Sequence, residues 1–358
     1  MDYTYISKGD YSTLLGMNGG CPESPDGKRL VYAKKKTLDC QDTEIWICDS
    51  DLTNHRKVFD VTCGNHNGPS QSFIDNSLIV FRDGKNKHSL FWIINVDTGE
   101  ILYKIFAKES HCAEGYLYPF SISESFLGLN PDYPEIDKCG IYVLNVKTGK
   151  IDFVASEEKL TELVKSHGLH TDEWTGQVSH VQLNPKGDAV MMRVSVEDCP
   201  VFGALACFDI NTGKSHIIPD KPVHQLWFDN DSYMATRQFN QGRHIEMETS
   251  YIARFSKDGE ELEVLGGIGN HIDGSPNRQF FAGDRCYPGF SPDVYLYKRG
   301  CKTPIATFPI PDEENVIWNK KVHPNPSFSR DGKRLYFNCI RMDGESDAVC
   351  VDISEFVK

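Results

Sequence analysis

The chain has 358 residues, 39% of them hydrophobic and 11% aromatic, which is enough apolar material for a large core and excludes a disordered or fibrous chain. Its formal net charge of −13 excludes a general nucleic-acid binder, which needs basic surface, and disfavours an anionic ligand unless positive charge is gathered locally. No apolar run reaches the length of a membrane span.

From the N-terminus, Tyr3-Thr-Tyr-Ile-Ser7 reads as a strand and lacks the basic and apolar regions of a secretory signal. A polar turn followed by an apolar strand then recurs. The copies begin at Ser24 (Ser-Pro-Asp-Gly), Phe73, Ser123, Asn184 (Asn-Pro-Lys-Gly), Phe228, Ser275 and Ser329 (Ser-Arg-Asp-Gly), spaced by roughly 45 to 60 residues. A second turn follows a third strand at 93–100, 143–150 and 208–214. Gly/Asp turns between β-branched and aromatic runs are hairpin chemistry. Four short antiparallel strands in about seven repeats predict an all-β fold, a single seven-bladed β-propeller domain over 1–358. The N-terminal strand supplies the last blade's fourth strand and removes the open edges. The exception to the strand pattern is 156–167, where Leu160, Leu163 and Val164 form one helical face. It reads as a helical insertion between the third and fourth blades. The 12 cysteines include no CxxC pair, and several sit inside strand-like runs. They read as reduced, buried thiols of a cytoplasmic protein.

His180, His224 and His271 occupy one register, each four residues ahead of its turn. Asn325 holds that register in the last repeat, with His323 two residues earlier and so on the same strand face. His66 lies in the matching approach of the second repeat. In a propeller the start of each blade's first strand and the end of its second share one surface. At the second position stand Arg82, Arg193 and Arg237, each nine residues after its turn, with Arg285 ten after and Arg341 twelve after. His88 follows in the loop after Arg82. Guanidinium pairs bidentately with carboxylates, and neutral imidazole serves as a base or metal ligand. The expected occupant is a small or oligomeric carboxylate. Pairing of these arginines with nearby Asp and Glu is the structural alternative.

There is no Gly-x-Ser-x-Gly elbow, and Gly-Gly-Ile-Gly at 266–269 opens no helix, so neither a serine hydrolase nor a phosphate loop is indicated. His167 and His170 flank a helix end and read as solvated.

The segment His323-Pro-Asn-Pro-Ser-Phe-Ser-Arg-Asp-Gly-Lys-Arg-Leu-Tyr-Phe resembles the last-blade motif of oligogalacturonate lyases and related propeller polysaccharide lyases. Ser179-His180-Val-Gln-Leu-Asn-Pro, Val223-His224-Gln-Leu-Trp and Asn270-His271 through Ala282-Gly-Asp284 resemble their fourth, fifth and sixth blades. The resemblance implies a divalent metal, often manganese, on a sixth-blade histidine and a last-blade Gln-x-x-His-x-His motif. His271 and His323 match; Asn325 stands for the second histidine and Lys320 for the glutamine. Lys320 would repel a metal and could itself neutralise a substrate carboxylate. The related ulvan and rhamnose–glucuronate lyases imply a metal-free alternative with a histidine pair, a tyrosine and an arginine. His66 and His88 resemble that pair; Tyr118 could be the tyrosine, with Tyr133 near the arginine position.

The implied chemistry is β-elimination at a 4-linked uronate. Arg82, Arg193, Arg237, Arg285, Arg341 or Lys320 would hold the carboxylate, and His66, His88, His180, His224 or Tyr118 would move protons. The partner implied is an acidic oligosaccharide, with no nucleic acid or membrane. The rival reading is a non-catalytic propeller that binds an acidic sugar or a protein.

Overall fold

The structure is a computed structural model and describes residues 3–358, leaving out 18, 67, 85–87, 111–114, 167–176, 197–198, 219–222, 242–243, 287–289 and 313–315. His167 and His170 lie outside the described residues. The fold is a seven-bladed β-propeller of seven four-stranded sheets. Six sheets take their strands in chain order. The seventh combines Ser327–Phe328, Arg334–Ile340 and Ser346–Asp352 with Thr4–Tyr5, which pairs antiparallel to the last strand (Thr4 opposite Cys350, Tyr5 opposite Val349). The N-terminal strand therefore closes the last blade, as its sequence indicates.

The turn chemistry explains why the repeats fold. In the first copy the Asp26 carboxylate accepts from the Ser24 hydroxyl (2.7 Å) and the Lys28 amide, while Gly27 adopts φ +68°. The last copy repeats it: Asp331 accepts from the Ser329 hydroxyl (2.7 Å) and the Lys333 amide, with Gly332 at φ +71°. A side chain that mimics a backbone turn, plus one left-handed glycine, reverses the chain between strands.

The chain divides into two compact units. The first comprises 1–85, 92–104 and 264–358, and its core includes Phe280, Phe308, Phe328, Leu335 and Phe337. The second comprises 86–91 and 105–263, with Val181, Val190, Met192 and Phe208 at one core and Trp227, Tyr233 and Phe255 at another. The helix Glu157–Ser166 falls between the sheet that ends with Ile151–Ser156 and the sheet that begins with Gln177–Leu183. It buries Leu160 and packs Leu163 against that second-unit core. A four-residue helical turn, Val316–Asn319, was not anticipated. Among the described residues no helix is long and apolar enough to cross a membrane, and the described cysteines are all free.

Candidate functional site

The register is visible in the backbone. His180 (φ +54°), His224 (+51°) and Asn325 (+48°) all adopt the left-handed conformation, which non-glycine residues rarely hold. At His180 and His224 the strand pairing slips: Ser179 opposes Arg193 but Gln182 opposes Met191, and Val223 opposes Thr236 but Leu226 opposes Met234. Each histidine thus sits in a bulge, a device that re-aims a side chain, and strain of this kind concentrates at working sites. Ser70 (φ +49°), three residues ahead of Phe73, is also left-handed, whereas His271 is not among the positive-φ residues.

In the first unit three imidazoles gather. His323 Nδ1 lies 3.1 Å from His271 Nε2, and the ring centroids are 4.7 Å apart. The exposed His66 stacks edge-on against His323 at 4.6 Å. Behind them Asp284, fully buried, lies 2.8 Å from His271 Nδ1 and accepts from the Asn325 amide at 3.1 Å. The carboxylate therefore fixes Nδ1 as the protonated nitrogen of His271 and leaves Nε2 as an acceptor toward His323. Burial, reinforced by repulsion from His66 and, for His323, from His271, pushes His271 and His323 far below the ordinary imidazole range, so both are neutral at pH 7. Burial together with the Lys321 charge lowers His66 as well. Asp284 is pushed up by burial, against the hydrogen bonds that favour its charge.

Strict counting accounts for Asp284. It stands nine residues after Ser275, the position that carries Arg193 and Arg237 in other repeats, and Asn338 stands nine after Ser329. Asn338 donates to the His323 carbonyl (2.9 Å) and accepts from the Leu15 amide (2.7 Å), tying down the approach to His323. Arg285 is one residue out of register, and its guanidinium lies over Phe290 at 4.5 Å. Arg341 is held by Asp343 (3.0 Å) and Asp347 (3.4 Å). Lys320 forms an ion pair with Asp39. Its neighbour Lys321, which no sequence motif marks, is the cation whose charge acts on both His66 and His323. Arg82 is half-buried.

In the second unit His180 and His224 face each other with centroids 5.9 Å apart. Arg193 stands opposite Ser179 in the ladder, and burial lowers the proton affinity of its guanidinium. Arg237 is paired with Glu261 at 3.2 Å. Tyr118 is 2% exposed and packs on Phe91 at 4.7 Å, as a core aromatic does. His88 is exposed against Phe126 (5.8 Å), and Tyr133 is half-buried with its amide bonded to the Asn130 carbonyl.

The metal that the resemblance implies can be tested against this donor set. Among the described residues no three His, Cys, Asp or Glu side chains are arranged to hold a metal ion. What exists is His323 hydrogen-bonded to His271, whose other nitrogen is committed to Asp284, with His66 packed edge-on against His323, and the buried, unpartnered Asn325 Oδ1. The Lys320 ammonium is directed to Asp39 and cannot ligate. Imidazoles bonded to one another and one neutral oxygen, with the Asp284 carboxylate already taken by His271 and the Asn325 amide, fall short of the donor sets that hold manganese, which favour carboxylates.

No protein-family model matches the chain, and no curated protein matches it. Solved structures do. An oligogalacturonate lyase in complex with manganese is similar over 99% of this chain and 94% of its own, at TM-score 0.70 and 14% identity. An oligogalacturonate lyase from Vibrio parahaemolyticus covers the same shares at TM-score 0.64 and 14% identity. Hydrazine synthase from Kuenenia stuttgartiensis covers 98% and 99% at TM-score 0.57 and 10% identity. At these identities the likeness establishes the propeller fold and leaves the chemistry to the site.

Proposed function

We propose that the chain is a carbon–oxygen lyase that cleaves 4-linked uronate oligosaccharides by β-elimination. The observation that carries this reading is the His66–His323–His271 row of neutral imidazoles backed by buried Asp284. The similarity in fold to oligogalacturonate lyases supports it.

The C5 proton of a uronate is weakly acidic, so the reaction needs a base unprotonated at neutral pH and a cation beside the carboxylate. His323, held by His271, meets the first need, with His66 at the exposed end of the row. Lys321 meets the second. The C5–H bond breaks and its proton passes to imidazole. The electron pair forms the C4=C5 double bond, the C4–O4 bond breaks, and the departing oxygen takes its proton from the imidazolium formed in the first step. The products are a 4,5-unsaturated uronate and a new sugar hydroxyl. The second unit carries its own imidazoles, His180 and His224, and no part of this step is assigned to them. No step is assigned to a metal, because the donor set does not fit one. The substrate partner in this reading is an acidic oligosaccharide, and a cytoplasmic site of action would suit short chains.

The departure from the metal motif, with Asn325 and Lys320 at two of its positions, favours the second reading, a propeller that binds an acidic sugar without turnover. Pectic, ulvan-type and rhamnose-capped glucuronate oligosaccharides separate the two. The lyase reading expects ultraviolet absorbance from an unsaturated uronate on at least one substrate, abolished in His323→Ala with binding retained. Binding with no absorbance on any of them would leave the second reading.

A further inference from the structure

The first unit contains a cavity of about 800 Å³ whose lining the histidine and arginine registers do not touch. Its walls come from the residues ahead of the Ser12–Leu14 strand, the adjoining ends of Arg29–Lys35 and Asp42–Asp49, and the end of Arg56–Thr62. Volumes of this order accommodate small organic ligands.

The side chains are fixed in place. The Trp46 indole N–H donates to Glu44 at 2.8 Å. The Tyr11 hydroxyl donates to the Lys8 carbonyl at 2.9 Å and lies 2.6 Å from the Ser7 hydroxyl. The Lys34 ammonium rests 3.8 Å from the Trp46 centroid and 4.5 Å from that of Tyr11. Lys35, only 2% exposed, forms the inner wall and donates to the Cys63 carbonyl (3.1 Å) and Asn65 Oδ1 (2.6 Å). Lys36, Asp10 and Asp42 line the same space as exposed donors and acceptors.

The charge pattern restricts the occupant. Three lysines (34, 35, 36) face five carboxylates (Asp10, Asp42, Glu44, Asp60, Asp83), and Lys57 outside the lining pairs with Glu44 (3.3 Å) and Asp60 (3.1 Å), so carboxylates stay in excess by one. An anion meets an excess of carboxylates, and a cation meets an ammonium already seated on the aromatic rings. A neutral polyhydroxylated ligand suits both signs: its hydroxyls donate to carboxylates and accept from ammonium groups, Lys34 among them, while its C–H groups lie against the parts of Trp46 and Tyr11 that line the cavity. We propose that this groove is a second carbohydrate site that binds a neutral sugar ring, with Trp46 and Tyr11 as its apolar surface and Lys36 and Asp42 as its hydrogen-bonding groups. It is distinct from the imidazole row and does not depend on the lyase reading.

The test is titration of the full chain with neutral monosaccharides and neutral disaccharides, alongside galacturonate and glucuronate, read by saturation-transfer NMR and tryptophan fluorescence. The expected result is binding of a neutral sugar, weakened at least tenfold in both Trp46→Ala and Asp42→Asn, with no comparable binding of the uronates that those substitutions affect. Asp42→Asn is an exposed, conservative change, so its effect separates lost contacts from misfolding. Failure of every neutral sugar to bind, or binding unchanged in Asp42→Asn and in a folded Trp46→Ala, overturns the proposal. Uronate binding that Trp46→Ala abolishes overturns the neutral-sugar assignment.

Discussion

His323 Nδ1 sits 3.1 Å from His271 Nε2, and that contact sets the protonation pattern of the row. His271 donates from Nδ1 to Asp284, so its Nε2 accepts and His323 is the donor between them. His323 then keeps its other ring nitrogen as the basic one.

Asp284→Asn should disturb this order without changing the size of the side chain. Removing a carboxylate that orients a working imidazole typically costs 10- to 100-fold in function. We expect turnover to fall by roughly that factor. Unfolding free energy should fall by about 1–3 kcal/mol from the buried donors left with a poorer acceptor. Steady-state kinetics and urea denaturation measure the two effects.

The pH dependence of stability follows from burial. His271 and His323 have folded-state proton affinities below the unfolded value, so their contribution is complete above the unfolded imidazole pKa and is lost as pH falls below it. Asp284, shifted upward, works in the opposite direction and loses its contribution as pH rises through its folded pKa of about 6. Two histidines against one carboxylate give a net loss on acidification. Denaturation at pH 7.5 and 5.5 should show a larger loss for the wild type than for His323→Gln.

Lys320 and Lys321 should behave differently despite being neighbours. Lys320→Ala removes an exposed ion pair with Asp39, and the expected loss is at most about 1 kcal/mol with turnover unchanged. Lys321→Ala removes the charge acting on His66 and His323, so the His66 pKa should rise in an NMR titration while KM for a uronate substrate increases.

Lys35→Met should destabilise the fold more than either of these surface changes. Its ammonium is buried and satisfies the Cys63 carbonyl and Asn65 Oδ1, and Asn65 in turn donates to the carbonyls of Leu38 (2.8 Å) and Lys320 (2.9 Å). Loss of the buried donor should cost about 1–3 kcal/mol, measured by chemical denaturation. Turnover should fall as well, because Asn65 adjoins His66.

The propeller was legible because its turns are local: Ser24, Asp26 and Gly27 specify a reversal within four residues, and Ser329, Asp331 and Gly332 do so again. Closure by Tyr3–Ser7 was legible from a strand missing at the other end. The histidine register was legible as spacing, but the left-handed bulges at His180 and His224 are properties of strand pairing that spacing does not reveal. Asp284 occupies the ninth position after Ser275, where other repeats carry arginine, and the neighbouring Arg285 masks it in the sequence. The exchange of roles between Lys320 and Lys321 depends on Asp39, 281 residues away, and no local pattern encodes it.

The central claim is elimination at a uronate. Mass spectrometry of the products from a defined acidic oligosaccharide, run in ordinary water and in ¹⁸O-labelled water, tests it most directly. Elimination predicts one fragment lighter than its hydrolysis counterpart by one water and no ¹⁸O in either product. Fragments that both carry the full mass, with label incorporated from solvent, would contradict it.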